Sequence, residues 1–160
     1  MASFSEKFAN LLEYVGVRSN SYYHASTPKA YDPEDPLPYF VDESMRGNYS
    51  GPFDDRGLPL YNSDGNLVYL PVFLCFWGLG QLDIYRETKE QSHIDNFVKV
   101  VRWLTVNQRP QGDWISTVSM PKFGLTGPHP SAMVQGLAIS CLVRGYHITS
   151  EDELLQAAIA

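Results

Sequence analysis

The side chains of this sequence that are best suited to ligand binding are aromatic. Ten Tyr, eight Phe and three Trp make up 13% of the 160 residues. Aromatic clefts suit carbohydrates, because a ring face can cover the C–H face of a sugar while neighbouring polar groups hydrogen-bond its hydroxyls. For any single aromatic residue, the alternative is that it fills the core.

Other chemistries have little support in the residue pattern. The histidines His24, His93, His129 and His147 have no metal-ligand spacing, and the two cysteines form no Cys-x-x-Cys pair. No Gly-x-Gly-x-x-Gly or P-loop motif occurs, and Ser131 does not stand in a Gly-x-Ser-x-Gly elbow. The pattern therefore favours neither metal, nucleotide nor serine-hydrolase chemistry.

Composition and charge narrow the possible partners. A hydrophobic fraction of 44% and a charged fraction of 19% are typical of a globular protein. The net charge of −6 offers no basic footprint for nucleic acid, although a small acidic ligand would need only a local Arg or Lys. The longest apolar run, residues 67–79, is interrupted by Pro71 and Gly78, so we expect no membrane span. With no signal peptide evident, the sequence predicts a soluble, cytoplasmic, bacterial-type protein.

The amino-terminal part of the chain predicts mainly extended structure. Residues 3–15 have apolar side chains near helical spacing and predict a short helix that ends at Gly16. Residues 17–66 are rich in Pro, Tyr and Asp, which predicts extended chain and short strands. Asp64-Gly65 between two apolar stretches is a typical hairpin signal.

The carboxy-terminal part predicts helices. Pro71 suits a first helical turn, and the apolar residues that follow predict a largely buried helix over 72–88. Residues 92–107 carry one apolar stripe and predict a second helix, and residues 131–146 predict a third. Ser150 and Glu153 have the spacing of a capping box, which predicts a fourth helix. We expect loops at 109–113 and 121–130, an extended piece over 114–118, and buried free thiols at Cys75 and Cys141.

These elements predict a mostly α fold with an amino-terminal extended, Tyr- and Pro-rich segment and a short β hairpin. We expect one unit over residues 1–66 and an incomplete (α/α) toroid over residues 67–160. Helices joined by loops that carry Gly-x-Trp are typical of a toroid, although an ordinary bundle gives similar periodicity. The fourth predicted helix stops at Ala160 without a packing partner, so we expect the chain to be the front portion of a longer protein.

Three stretches of the chain, in order, resemble the D-glucuronyl C5-epimerase family. The first comprises Gly57-Leu58-Pro59-Leu60, Gly65, Tyr69, Pro71-Val72 and Gly78-Leu79-Gly80. The second comprises Trp103-Leu104, Asn107-Gln108 and Gly112-Asp113-Trp114. The third and most specific comprises Ser131-Ala132-Met133-Val134-Gln135-Gly136, Ala138-Ile139-Ser140 and Leu142-Val143-Arg144-Gly145-Tyr146. The chain departs from the family pattern at Phe76-Trp77, at His129-Pro130 and at Leu137, which leaves the substrate open.

The resemblance implies conversion of D-glucuronate to L-iduronate residues in a heparosan-like or capsular polysaccharide. This reaction removes the C5 proton and returns it to the opposite face, which needs an acid, a base and groups that stabilise the carboxylate. In the family, tyrosines in motifs downstream of the third stretch are implicated, so the resemblance implies catalytic residues beyond Ala160 and none in this chain. It implies no metal or organic cofactor, and a homo-oligomer is possible.

The resemblance also suggests substrate-binding residues, which are Tyr69, Trp114, Gln135 and Arg144. Gln135 and Arg144 are nine positions apart, about half a turn around a helix, so they cannot serve one surface. We expect Gln135 to face the cleft and Arg144 to pair with an acid or a helix end. Trp114 either stacks on sugar or anchors its loop. Tyr22, Tyr23 and Tyr39 are further candidates for the cleft wall.

Two alternative functions stay open at this point. The chain could be a non-catalytic remnant or carbohydrate-binding scaffold that keeps the helices of the family. It could also belong to a toroid polysaccharide lyase, which shares the proton abstraction but expels the C4 substituent.

Overall fold

The computed structural model describes residues 28–30, 32, 34–121 and 124–160. The helix predicted over 3–15 and the tyrosines Tyr22 and Tyr23 lie outside this range. The described elements, in chain order, are helix α1 (Ser44–Gly47), strands β1 (Tyr61–Ser63) and β2 (Asn66–Val68), helices α2 (Pro71–Thr88) and α3 (Gln91–Val106), strands β3 (Ile115–Ser116) and β4 (His129–Pro130), and helices α4 (Ala132–Thr149) and α5 (Asp152–Ile159). None of the described helices is long and apolar enough to cross a membrane.

The predicted hairpin is present as β1 and β2. The two strands pair antiparallel with Ser63 opposite Asn66, so the loop consists of Asp64 and Gly65 alone. Both loop residues have positive φ, 52° and 87°, as a tight primed turn requires. The side chain of Asn62 accepts a hydrogen bond from the Gly65 N–H at 2.8 Å and closes the turn.

Helix α2 lies at the centre of the described fold. Pro71 occupies its first turn, where a missing N–H removes no helical bond, and Lys89 with φ of 61° ends it. Twelve of its residues are buried because α2 packs against α1, α3 and α4 at once. The predicted helix over 72–88 is therefore confirmed, and so is its burial.

The other helices enclose a single apolar core around α2. The apolar stripe predicted for α3 comprises Ile94, Phe97, Val98, Val101 and Leu104. All of these are buried except Val98, which is half-buried, and α3 buries Val100 as well. Helix α4 packs on α2, α3 and α5. Cys75 and Cys141 are buried free thiols, as predicted, and the Cys141 thiol lies 3.8 Å from the Cys75 carbonyl oxygen. A hydrogen bond with the Cys141 side chain, together with burial, raises the pKa of the Cys75 thiol well above its usual value.

The described residues between 28 and 60 pack onto the helices. Lys29 forms an ion pair with the buried Asp83 of α2, and Asp83 also accepts a hydrogen bond from the Glu43 N–H at 2.8 Å. Helix α1 touches α2 backbone to backbone, because a Cβ on Gly80 would stand 2.4 Å from the Gly47 nitrogen. Leu58 belongs to the same core as the helices.

Two details of the sequence prediction are wrong. Ser150 does not cap α5: α4 runs on to Thr149, and Ser150 with φ of 59° ends it in the left-handed conformation. Residue Glu151 precedes α5 instead, without a side-chain cap, so Glu153 takes part in no capping box. The loop predicted over 121–130 also ends in a strand, since β4 pairs antiparallel with β3.

The described chain is thus mostly helical with small two-stranded pairings, which confirms the mostly α character and the hairpin of the predicted fold class. The extended character predicted for residues 17–66 is interrupted by the short helix α1. The boundary expected after residue 66 falls inside β2 (Asn66–Val68).

Candidate functional site

A pocket of about 390 Å³ opens where the hairpin, α2, α3 and β3 meet. This volume lies within the range of small-molecule sites, roughly 300–1,000 Å³. Its wall is aromatic and apolar with two polar side chains at the edge. The lining residues are Val68, Tyr69, Pro71, Trp103, Asn107, Trp114, Ile115 and Thr117.

Tyr69 and Trp103 form an aromatic pair at the pocket. Tyr69 stands between β2 and the start of α2, and Trp103 lies at the edge of the buried stripe of α3. Their ring centroids are 5.6 Å apart and the planes are tilted by 37°. Both side chains are partly exposed, so ring surface remains available to a ligand.

Trp114 is the buried floor of the pocket. Its side chain is only 2% exposed, and its indole N–H donates to the Leu104 carbonyl oxygen at 2.8 Å. A sugar stacked on Trp114 needs an open ring face, which this position does not offer. The geometry is that of a loop anchor.

Gln135 holds the loop of Trp114 in place from α4. Its side-chain oxygen accepts from the Trp114 N–H at 3.0 Å, and its amide nitrogen donates to the Trp114 carbonyl oxygen at 2.7 Å. The same nitrogen also donates to Ser131 at 3.1 Å. Both ends of the amide are engaged within the protein, so Gln135 positions the pocket floor and is not among the lining residues.

Arg144 lies away from the pocket and fastens the amino-terminal segment to α4. Its guanidinium donates to the carbonyl oxygens of Leu37 and Pro38 at 2.8 Å each, and to the Ser140 hydroxyl at 2.6 Å. The guanidinium lies 5.7 Å from the ring centre of Tyr39. Burial lowers the pKa of Arg144. The hydrogen-bond partners of Arg144 are neutral, whereas the sequence predicted an acid or a helix end. Arg144 and Gln135 make no contact with each other, as expected from their spacing.

A polar group at the pocket edge was not foreseen from the sequence. Tyr69 donates from its hydroxyl to Asp54 at 2.6 Å, and Arg56 donates to the same hydroxyl at 3.2 Å. Asp54 also accepts from the Leu58 N–H at 2.7 Å and from the Arg56 N–H at 3.0 Å. The sequence does contain a signal for this group, which is Asp54 three residues before Gly57. An Asp at this spacing often closes a turn by accepting hydrogen bonds from the N–H groups that follow it.

The protonation of this group follows from its hydrogen bonds. Burial works to raise the pKa of Asp54, but the hydrogen bonds from Tyr69, Leu58 and Arg56 outweigh it and lower that pKa. The bond to Asp54 is also the main cause that raises the pKa of Tyr69. Tyr69 therefore stays protonated at neutral pH, with its proton directed at Asp54.

The described lining of the pocket has groups that can bind a ligand, and Tyr69 is its titratable side chain. A phenol whose pKa is raised is a poor general base near neutral pH. The aromatic wall and the exposed Asn107 and Thr117 can contact a ring that carries both C–H and hydroxyl groups. Among the described residues, no three His, Cys, Asp or Glu side chains are grouped so as to hold a metal ion.

Comparison of the chain with protein-family models, with curated proteins and with solved structures finds no match.

Proposed function

We propose that the pocket binds one uronic-acid residue of a heparosan-like or capsular polysaccharide. We further propose that the chain is part of a uronate C5-epimerase, an isomerase that converts D-glucuronate to L-iduronate residues. In this proposal the described helices belong to an (α/α) toroid, and the groups that exchange the C5 proton lie outside the pocket described above.

The observation that carries the proposal is the open aromatic pair of Tyr69 and Trp103 beside a rim of hydrogen-bonding groups. Sugars are bound in this way, because their rings are amphipathic. The two residues also stand in the first two stretches that resemble the epimerase family. The position of Tyr69, with its hydroxyl bound to Asp54, supports a role in binding.

A carbohydrate-binding scaffold without activity is the second candidate. It needs no group beyond the described lining, where Tyr69 is the titratable side chain and the hydrogen bond to Asp54 is the main cause that raises its pKa. The same pocket would bind the sugar in either case, so activity and binding have to be measured separately.

Binding is tested with a heparosan hexasaccharide, a polymer fragment of alternating glucuronate and N-acetylglucosamine. We expect saturable binding by calorimetry that is lost in Thr117→Trp. Thr117 is exposed at the pocket edge, so a large ring there obstructs the opening without altering the core. Phe40→Ala is the control, because Phe40 is 67% exposed and outside the pocket, and it should leave the affinity unchanged.

Activity is tested by incubation with heparosan in deuterated water. Deuterium at C5 supports the epimerase, and a 4,5-unsaturated product would instead identify a lyase. Binding without either product favours the scaffold. If the wild-type chain does not bind the hexasaccharide, or if Thr117→Trp binds it equally well, the pocket is not a uronate site.

A further inference from the structure

One edge of the pocket carries a cation, Arg56, that has no role in the proposed function. Arg56 follows Asp54 in the turn that ends at Gly57, and its side chain is 66% exposed. It reaches the pocket through Tyr69, whose hydroxyl accepts from one Nη2–H of Arg56 at 3.2 Å. Tyr69 itself lines the pocket. Arg56 therefore stands at the rim, one side chain away from the bound ring.

Most of the hydrogen-bonding capacity of Arg56 is still available. A guanidinium has five N–H donors. The Nε–H points to Asp54 at 3.3 Å and one Nη2–H to Tyr69, which leaves three donors without a partner in the described part of the chain. A fork of parallel N–H groups matches the two oxygens of a carboxylate.

The guanidinium is held in place before a ligand arrives. Asp54 accepts the side-chain Nε–H and the backbone N–H of the same Arg56, and Asp54 is in turn fixed by the Leu58 N–H. The side chain of Asp54 is only 8% exposed, whereas that of Arg56 is 66% exposed, so the ion pair is anchored at its buried partner. A group that is ordered in advance loses less entropy when it binds.

A second cation lies beside the first. The Nζ of Lys99 stands 3.2 Å from the position that a Cβ on Gly57 would occupy. Lys99, Trp103 and Asn107 are four residues apart along α3 and its end, so they follow one face of the helix. Lys99 continues the row of pocket residues Trp103 and Asn107 towards Arg56. Lys99 donates to the neutral Asn96 at 3.0 Å, so its charge is not paired there, whereas Arg56 forms an ion pair with Asp54 at 3.3 Å.

We propose that Arg56, assisted by Lys99, binds the carboxylate of the sugar in the pocket and gives the site its preference for uronic acids over neutral sugars. The inference rests on the proposed function, since it assumes that the pocket holds a sugar. Arg56 supplies the directed hydrogen bonds and Lys99 adds charge. The aromatic pair of Tyr69 and Trp103 binds the ring itself, whether or not the ring carries a carboxylate.

The test compares two ligands that differ only in the carboxylate. One is the heparosan hexasaccharide, and the other is the same compound after chemical reduction of its carboxyl groups to alcohols. We expect the wild-type chain to bind the acidic form about tenfold or more tightly, the range expected for hydrogen bonds between charged groups. Arg56→Gln should remove most of this preference and leave the affinity for the reduced form unchanged.

Matched variants separate this role from a general effect of charge. Arg102→Gln removes an equal charge, from α3. The partner of Arg102 is Glu151 at 2.7 Å, whereas Arg56 donates to the pocket residue Tyr69, so we expect no change for either ligand in Arg102→Gln. Arg56→Lys keeps the charge and loses the fork, and Lys99→Gln keeps the fork and loses a charge. Both should weaken binding of the acidic form by less than Arg56→Gln does.

The outcomes distinguish this inference from the proposed function. Equal binding of both ligands by the wild-type chain, or an equal loss for both in Arg56→Gln, would overturn the role of Arg56 and leave sugar binding in place. If Arg102→Gln weakened the preference for the acidic ligand as much as Arg56→Gln does, the preference would be an effect of net charge. That result would also overturn the role of Arg56. Failure of the wild-type chain to bind either ligand would overturn both proposals.

Discussion

Asp54 joins three parts of the pocket edge through one carboxylate. One oxygen accepts the N–H groups of Arg56 and Leu58, which closes the turn, and the other accepts the Tyr69 hydroxyl. The turn lies in the amino-terminal segment, and Tyr69 leads into α2. The carboxylate thus connects a segment that has little regular structure to the central helix.

Asp54→Asn is expected to destabilise the fold in a pH-dependent manner. Its hydrogen bonds lower the pKa of Asp54 in the folded state, despite its burial, so the ionised form stabilises the fold. This contribution is present above the ordinary pKa of 3.8 and is lost as the pH falls through the lower folded value. At pH 7 the variant should lose about 1–2 kcal/mol of unfolding free energy.

Urea unfolding at pH 7 and at successively lower pH values below about 4 measures this effect. The difference between the wild type and Asp54→Asn should shrink as the pH falls. Asp152→Asn is a control, because Asp152 is exposed at the start of α5 and has no side-chain partner among the described residues. A difference for Asp54→Asn that does not change with pH would contradict the prediction.

Single residues also show what the sequence could and could not reveal about the site. Tyr69 was predicted at the site and lines the pocket. Gln135 was predicted there too, but its amide is engaged by the backbone of Trp114, whose buried polar groups need partners. A Gln that binds a ligand and a Gln that binds the backbone are the same residue type in a sequence. Only the fold distinguishes them.

At the scale of elements, the contact of α1 with α2 depends on glycine at both sides. Gly47 and Gly80 face each other so closely that a Cβ on Gly80 would lie within 2.4 Å of the Gly47 nitrogen and the Glu43 carbonyl oxygen. Both obstructing atoms belong to the backbone and cannot rotate away. The amino-terminal segment therefore rests directly on the central helix.

Gly80→Ala and Gly136→Ala should change stability in opposite directions. Both glycines lie inside helices, where Ala is favoured by about 0.5–1 kcal/mol. Gly136 has no atom within 4 Å of its added Cβ, so Gly136→Ala should be stabilising by this amount. At Gly80 the clash must separate α1 from α2, and we expect a net loss of about 2–4 kcal/mol, in the range of severe packing changes.

Thermal and urea unfolding of the two variants measure these changes. Because the substitution is the same, helix propensity cancels in the comparison, and the remainder is the close contact at Gly80. If Gly80→Ala were as stable as Gly136→Ala, α1 would not rest on α2 in the way described.

The elements that were predicted correctly are those whose signals are local. Pro71 and the stripe of α3 define α2 and α3 from the sequence, because the relevant contacts repeat every turn. The capping box at Ser150 failed because α4 continues to Thr149 and uses Ser150 as its left-handed end. Packing of α4 on α2 and α5 decides where it ends, and nothing in the local sequence records that packing.

At the scale of the whole molecule, α4 differs from the other long helices in its exposed face. Met133 is 57% exposed and Ile139 is 42% exposed, with Gly136 between them. No Asp, Glu or Lys occurs in α4, and its single Arg is held by the amino-terminal segment. By contrast, α2 is buried on most sides. Between α2 and α4, α4 is therefore the helix that presents an apolar surface to solvent.

The double variant Met133→Lys/Ile139→Lys should lower self-association without loss of stability. Contiguous exposed apolar surface promotes association, and two cations at these positions oppose it. Because Met133 is 57% and Ile139 42% exposed, a Lys at either position can extend into solvent, and we expect the unfolding free energy to change by less than about 1 kcal/mol per site. Sedimentation velocity over a range of concentrations measures the effect, with a rising sedimentation coefficient for the wild type and a constant one for the variant.

Val106→Lys is the control, since Val106 is 83% exposed at the end of α3, and it should behave as the wild type does. A wild type that remains monomeric at high concentration would contradict the prediction, because the exposed face of α4 would then be too small to drive association by itself.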